Sequence, residues 1–258
     1  MKNLIFLYFI LVGFILFSQN DEVFYFVQIS DTHLGEFSND DRTEKIVNSI
    51  NGLPFDIKFV AHTGDVFQNN VADKKVRSEA KEIFSKLKYP VFFVPGNHDI
   101  LASHYEKTRD AFIEFAGYTD TVVLIEDKVF LFFYTEPLRD EVIKGTSEKF
   151  DFVEKILDNY KDKQIIIFHH TPSVSDFYSN ETNENWSKEN SKRWKELLNG
   201  YTINAIVAGH FHRNEFHWVG EIPLYVASSV AGFWGRQASY KVFKYQNNKL
   251  SFWTVYIE

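Results

Sequence analysis

Residues 91–99 read VFFVPGNHD, in which a short apolar run passes directly into a cluster of polar side chains. The apolar part, residues 91–94, is rich in Val and Phe and is typical of a buried β-strand. A proline and a glycine then end the strand and turn the chain. Asn97, His98 and Asp99 are therefore predicted to stand together at the carboxyl end of a strand.

Four other predicted strands are followed in the same way by carboxylate or imidazole side chains. These strands cover residues 23–30, 57–61, 164–168 and 203–208. The polar residues after them are Asp31 and His33, then Asp65, then His169 and His170, and finally His210 and His212. One such strand end would be an ordinary turn stabilised by its own side chains. Five in succession, in a chain with nine histidines, indicate a shared site.

The segments between these strands predict how the strands are arranged. Residues 41–50 and 71–87 carry apolar side chains at helical spacing, whereas residues 215–256 read as four strands joined by short turns. Sheets covered by helices are the expected architecture. In such α/β folds ligands bind at the carboxyl ends of the strands, so the five polar clusters are expected to meet in one place. Neither a repeat nor a linker divides residues 21–258, which predicts one domain.

Taken in order, the motifs DxH, GD, GNHD, H and GHxH resemble those of the calcineurin-like metallophosphoesterase family. They span residues 31–212, most of the chain. The resemblance implies an α/β fold, a four-layer αββα sandwich in which two mixed β-sheets pack face to face between helices. It also implies a binuclear centre of divalent metal ions.

The resemblance assigns the ligands position by position. The first metal would be bound by Asp31, His33 and His212, the second by Asn97, His169 and His210, and both by Asp65. Carboxylate, amide and imidazole ligands suit manganese, iron, zinc or cobalt, and the absence of cysteine disfavours a structural zinc site. The histidine of the fourth motif is either His169 or His170, and its place directly after the strand favours His169.

The resemblance also implies a reaction, in which a hydroxide held between the two metals attacks phosphorus. His98 would stabilise the transition state or protonate the leaving group, with Asp99 orienting its ring. The alternative role of His98 is to brace its own loop. The expected activity is hydrolysis of small, nucleotide-like phosphate mono- or diesters; the alternative is that of a phosphoprotein (serine/threonine) phosphatase. A non-catalytic metal-binding module would have lost ligands, whereas every motif position is filled.

Composition limits the other classes of function. A chain of 258 residues, 45% of them hydrophobic, can bury a full core. The formal net charge of −7 argues against a nucleic-acid-binding surface, which needs clustered Lys and Arg. The lack of cysteine excludes disulfides and a cysteine nucleophile.

The first residues have the layout of a secretory signal peptide. Lys2 supplies a positive start, residues 4–17 form an apolar run, and Ser18 is a small residue suited to cleavage. This predicts a signal peptide over residues 1–18 and a secreted or periplasmic protein. The run is shorter than the roughly 20 residues that span a bilayer, although an uncleaved anchor is the alternative.

Two aromatic segments outside the motifs are candidates for a substrate pocket. Phe233, Trp234 and Arg236 follow a predicted strand close to the last motif. They either line a pocket or are core aromatics beside a surface arginine. The polar loop at residues 173–188, which contains Trp186, is a second candidate rim.

Overall fold

The computed structural model describes residues 23–36, 38–139, 143–179, 186–247 and 249–257. The strands are β1 (Phe24–Ile29), β2 (Ile57–His62), β3 (Val91–Phe93), β4 (Thr121–Ile125), β5 (Lys128–Phe132), β6 (Gln164–Phe168), β7 (Ile203–Ala208), β8 (Glu215–Val219), β9 (Ile222–Val226), β10 (Ala238–Gln246) and β11 (Lys249–Ile257). The α-helices are α1 (Asn39–Asn51), α2 (Lys74–Ser85), α3 (Tyr105–Ala116), α4 (Glu136–Arg139), α5 (Thr146–Asn159) and α6 (Lys188–Leu198). Short 3₁₀ turns lie at Ala102–His104 and Phe233–Gly235. The predicted signal peptide lies outside the described residues.

The strands form two mixed sheets. The first has the order β11-β10-β1-β2-β3, in which β1, β2 and β3 are parallel and β10 is antiparallel to β1. The second has the order β4-β5-β6-β7-β9-β8, with a parallel centre and antiparallel strands at both edges. Parallel neighbours end at the same edge, so each sheet brings its motif-bearing strands to a common end.

Three separate apolar cores divide the molecule into four layers. One core lies between the first sheet and helices α1, α2 and α3, and another lies between the second sheet and helices α5 and α6. The third lies between the two sheets. The predicted αββα sandwich is therefore confirmed.

The core between the sheets consists largely of phenylalanine rings. Phe26 stacks on Phe59 and Phe243 within the first sheet, with ring centroids 5.1 and 4.8 Å apart. It also meets Phe168 of the second sheet edge-on at 5.7 Å. Alternation along β1 explains this arrangement, because Phe24 and Phe26 face the second sheet while Val27 and Ile29 face the helices. Edge-to-face and offset contacts are the favoured geometries for aromatic rings.

A buried glutamine joins the two sheets close to their carboxyl ends. The amide nitrogen of Gln28 donates to the Thr63 hydroxyl at 2.9 Å and to the Ala208 carbonyl at 2.7 Å. Thr63 follows β2, and Ala208 ends β7 in the other sheet. Buried hydrogen bonds of this kind fix the relative position of the elements that they connect.

The structure adds two details that the sequence pattern did not predict. The short helix α4 follows β5 directly. Trp186 is buried and donates its indole N–H to the Thr171 carbonyl at 2.9 Å, so it belongs to the core and not to a substrate rim. Among the described residues, no helix is long and apolar enough to cross a membrane.

The aromatic core predicts a large loss of stability on truncation of Phe26. Phe26→Ala removes a fully buried ring that contacts both sheets, and we expect a loss of about 3–5 kcal/mol in the free energy of unfolding measured with urea. The matched control is Phe177→Ala, because Phe177 is 76% exposed. Its effect should stay within about 0.5 kcal/mol. Equal effects of the two substitutions would contradict this description of the core.

Candidate metal centre

The first two motif loops run side by side at the end of the first sheet. The backbone N–H of Asp31 donates to the Gly64 carbonyl at 2.9 Å, and that of His33 donates to the Asp65 carbonyl at 3.0 Å. Leu34 continues the ladder by donating to Val66 at 2.8 Å. These bonds place the side chains of Asp31, His33 and Asp65 in fixed register.

One group of potential ligands consists of Asp31, His33, Asp65 and His212, all buried, with ligand atoms within 4.8 Å of one another. The Nε2 atom of His212 lies 3.2 Å from Oδ1 of Asp31 and 3.3 Å from Nε2 of His33. Nε2 of His33 lies 3.8 Å from Oδ2 of Asp65. The four residues predicted to contact the first metal are therefore together.

A second group consists of Asp65, His170 and His210, also buried and within the same distance limit. Nε2 of His170 lies 3.1 Å from Oδ2 of Asp65 and 3.2 Å from Oδ1 of Asn97. Asp65 belongs to both groups, which is the position predicted for a bridging carboxylate.

The preference for His169 over His170 in this second group is corrected by the structure. The His169 ring is buried against Trp186 and Trp194, with centroids 5.8 and 6.3 Å away. Strand alternation is the physical reason. Phe168 faces the core between the sheets, so the next side chain points towards the helix layer and His170 points back to the site.

Five of these residues have a backbone conformation that is rare for any residue except glycine. The φ angles are 54° at Asp31, 44° at His33, 54° at Asp65, 71° at His210 and 54° at His212. A left-handed conformation at a non-glycine residue costs on the order of 1–3 kcal/mol and is concentrated at functional sites. Five of the seven ligand candidates therefore also carry backbone strain, whereas Asn97 and His170 do not.

Burial and mutual charge set the protonation of the cluster. Burial would raise the pKa of Asp31, but neighbouring His212 holds it below the ordinary value. Burial would also raise the pKa of Asp65, but His170 and His98 lower it. Burial lowers the pKa of His33 and of His210 to about 4. The carboxylates are thus ionised, and these two imidazoles are neutral with a free lone pair. Ligands in these protonation states are the ones that divalent metals require.

His170 carries the opposite perturbation. Burial would lower its pKa, but the Asp65 carboxylate raises it to about 10. A proton on His170 compensates the buried negative charge of Asp65, and a divalent cation would supply the same compensation in its place. Two ionised carboxylates, one amide and four imidazoles converging from five loops fit a pair of divalent cations of the manganese, iron, zinc or cobalt type.

The second oxygen of each carboxylate connects the motif loops. Oδ1 of Asp65 accepts the backbone N–H of His98 at 2.8 Å, and Oδ2 of Asp31 accepts that of His210 at 3.2 Å. Each carboxylate therefore contacts a ligand group with one oxygen and holds a further loop with the other.

Two glycines allow this close approach. A Cβ atom at Gly96 would lie 2.3 Å from Oδ1 of Asp65, and one at Gly209 would lie 2.0 Å from Oγ of Ser30 and 2.9 Å from Oδ2 of Asp31. Neither contact is possible for a real side chain, so the motif glycines are required by the packing of the site.

The predicted pairing of Asp99 with His98 is wrong. The buried Asp99 carboxylate accepts backbone N–H groups from Val66, Phe67 and Gly96 at 3.1, 2.8 and 2.9 Å. It braces its loop and does not reach the cleft. The partner of His98 is Asn69, whose Oδ1 lies 3.0 Å from Nδ1 of His98. Asn69 also has a left-handed backbone, and its backbone N–H donates to the His98 carbonyl at 3.1 Å.

An open cleft of about 220 Å³ exposes this cluster to solvent. Its lining consists of His33, Asp65, Gln68, Asn97, His98, His210, His212, Phe233 and Trp234. The ring of His98 lies 5.0 Å from that of His33. A small molecule in this cleft would therefore meet the candidate ligands, the His98 imidazole, which belongs to neither ligand group, and the aromatic rings of Phe233 and Trp234.

An αββα sandwich with one carboxylate shared between two histidine-rich groups defines a dinuclear metallohydrolase. The model of the calcineurin-like phosphoesterase family matches residues 24–214. The chain belongs to this family, and its activity is the hydrolysis of phosphoric esters.

Individual relatives agree with this assignment. A probable glycerophosphodiester phosphodiesterase of Arcobacter nitrofigilis is 28% identical over 206 residues, which cover 72% of this chain and 71% of that protein. A serine/threonine-protein phosphatase of Mus musculus is 23% identical over 240 residues, covering 80% of this chain and 75% of that protein. The crystal structure of a dimetal phosphatase from Danio rerio has the same fold, with a TM-score of 0.59, 11% identity, and coverage of 91% of this chain and 99% of that one.

The corrected ligand assignment predicts different effects for two adjacent histidines. His170→Ala should weaken binding of the second manganese ion by more than about 100-fold, because loss of an outer-shell partner alone costs about 10–100-fold. His169→Ala is the matched control and should keep both ions while lowering the urea midpoint. Calorimetric titration with manganese and elemental analysis measure the outcome. Loss of an ion from the His169 variant alone would restore the sequence-based assignment.

Proposed function

We propose that this chain hydrolyses mono- or diesters of phosphate on small molecules, at a centre built from Asp31, His33, Asp65, Asn97, His170, His210 and His212. The observation that carries the proposal is the Asp65 carboxylate, which is shared by two ligand groups at the floor of an open cleft. A volume of about 220 Å³ accommodates a phosphoryl group and a modest substituent.

Two bound divalent ions would lower the pKa of water and neutralise charge on the phosphate oxygens. The residues of the chain would hold the two ions and fix the shape of the site around them. The buried carboxylates of Asp31 and Asp65 would hold the cations, and backbone hydrogen bonds from opposing loops fix the positions of these carboxylates. No side chain is required as the nucleophile.

His98 is proposed to act on the leaving group. Asn69 accepts a hydrogen bond from Nδ1–H of His98, which leaves Nε2 as the nitrogen that can face substrate. In the protonated ring Nε2–H donates to the departing oxygen, and charge on the transition state is stabilised at the same time. Asn69 is then a positioning residue, in the role that the sequence pattern gave to Asp99.

Hydrolysis of phosphoserine or phosphothreonine in proteins is the second candidate function. The relative in Mus musculus is named as a serine/threonine-protein phosphatase, whereas the relative in Arcobacter nitrofigilis is named as a phosphodiesterase. The small volume of the cleft favours small-molecule esters, because a phosphoprotein needs a groove that accepts polypeptide on both sides of the phosphate.

Export from the cytoplasm is part of the proposal. It is supported by Lys2, by the apolar run at residues 4–17 and by the small residue Ser18, which together have the layout of a signal peptide. Sequencing the amino terminus of the mature protein from its native host tests this directly, since a start after residue 18 is expected.

Activity should depend on metal and on Asp65. The chain supplied with manganese, zinc, cobalt or iron is expected to hydrolyse bis-p-nitrophenyl phosphate or p-nitrophenyl phosphate, and the preferred ester separates a diesterase from a monoesterase. Asp65→Asn should lower kcat/KM by at least about a thousandfold, since the bound metals supply several kcal/mol of charge stabilisation. Asp56→Asn is the control, because the Asp56 side chain is 82% exposed. A folded chain that binds no metal would refute the proposal.

Removal of His98 should slow the reaction without removing metal. His98→Ala is expected to lower kcat by about 10²–10⁴-fold, the usual contribution of a general acid or base, with manganese content unchanged. Asn69→Ala should produce a smaller decrease in kcat, because the ring remains but is less well oriented. The control is His104→Ala, since His104 is exposed and does not line the cleft. Near-normal turnover of the His98 variant would show that His98 only braces its loop and does not act on the leaving group.

A further inference from the structure

Trp234 combines an unusual backbone with an unusual degree of exposure. Its φ and ψ angles are 55° and 27°, and its side chain is 70% exposed. A bulky residue with positive φ is a genuine outlier, and such strain persists only where the surrounding structure enforces it. Because the indole is mostly exposed, it buries little apolar surface that could offset this strain. The conformation therefore presents the ring to solvent at the wall of the cleft.

The segment that carries Trp234 is fixed at both ends by one arginine from helix α1. Nε of Arg42 donates to the Val230 carbonyl at 2.8 Å, and its Nη2 donates to the Arg236 carbonyl at 2.7 Å. Hydrogen bonds to both ends of a short loop remove much of its freedom before any ligand arrives. A preorganised binding surface of this kind loses less entropy on binding.

Arg236 ties the indole to the first ligand group. Its guanidinium lies 5.1 Å from the centre of the Trp234 ring, within range of a cation–π contact. Its Nη1 also donates a hydrogen bond to the His212 carbonyl. The position of the indole is therefore set by the same loop that supplies a predicted metal ligand.

Phe233 and Trp234 together form an aromatic wall beside this ligand group. The Phe233 ring lies 5.0 Å from that of His33 and 5.5 Å from that of His212, and the Trp234 ring lies 5.3 Å from that of His212. A group attached to a phosphate bound at the metal that these histidines would hold would lie beside the wall. The wall offers it a flat π surface, whereas the remainder of the cleft lining is polar.

We propose that the aromatic wall selects phosphate esters that carry a planar, π-rich substituent, such as an aryl group or a nucleobase, by stacking on Trp234. This inference rests on the proposed function and narrows its substrate class. Small polyol substituents have no π system to stack on the indole, so they gain less from this surface. Arg236 and Arg42 act as positioning residues for the wall.

The test compares two phosphonates whose substituents are a planar phenyl ring and a methyl group. Phenylphosphonate and methylphosphonate are titrated calorimetrically into the full chain loaded with manganese. We expect phenylphosphonate to bind about tenfold more tightly, in line with an aromatic contact. Trp234→Ala should reduce this preference to less than about twofold, and Trp234→Phe should retain most of it because a ring remains.

The matched control is Trp218→Ala, since Trp218 is 57% exposed on β8 and does not line the cleft. It should leave the preference unchanged. Equal affinity of the unmodified chain for the two phosphonates would overturn the inference, as would a Trp234→Ala variant that keeps the preference or a chain that binds neither compound.

Binding of phosphonates also separates this inference from the proposed function. The carbon–phosphorus bond is not an ester, so these probes report recognition without turnover. Ester hydrolysis without a preference for the ring would overturn the aromatic subsite alone. A preference for the ring that depends on Trp234, in a chain that hydrolyses no ester, would support the subsite and refute the catalytic proposal.

Discussion

The structure depends above all on two buried carboxylates, Asp31 and Asp65, whose four oxygens all face specific partners. On each residue one oxygen faces histidine nitrogens and the other accepts a backbone N–H from a loop distant in sequence. An ionised carboxylate without water must be compensated in this way, because its desolvation is otherwise prohibitive. The need to compensate these two charges brings loops from both sheets together and leaves no space for a Cβ at Gly96 or Gly209.

Rigid packing between the two sheets keeps these loops in position. The rings of Phe26, Phe59 and Phe168 interlock across the sandwich, and Gln28 hydrogen bonds from the first sheet to the last residue of β7. Close-packed interiors transmit displacement and do not absorb it. The carboxyl ends of the two sheets are thus held at a constant separation, so residues from strands far apart in sequence can share one site.

Much of this arrangement follows from the sequence, because apolar runs that end in polar clusters define both the strands and their active ends. The two errors have different causes. The position directly after the strand favours His169 over His170, although alternation from Phe168 turns His169 towards Trp194. The pairing of Asp99 with His98 comes with the family resemblance, whereas the observed partner, Asn69, is 29 positions away. Pairs of side chains that are distant in sequence are set by tertiary packing, which sequence periodicity does not predict.

The left-handed backbone at five of the ligand residues has a consequence for how this site can change over time. Each such position must satisfy two demands, one from the backbone and one from the cation. Aspartate, asparagine and histidine are the non-glycine residues that tolerate positive φ best, and they are also good ligands for divalent ions. Glutamate offers the same carboxylate but adopts positive φ less readily than aspartate, and glycine adopts it readily but supplies no ligand atom. Few residue types therefore meet both demands at these positions, and the centre resists gradual exchange of one ligand type for another.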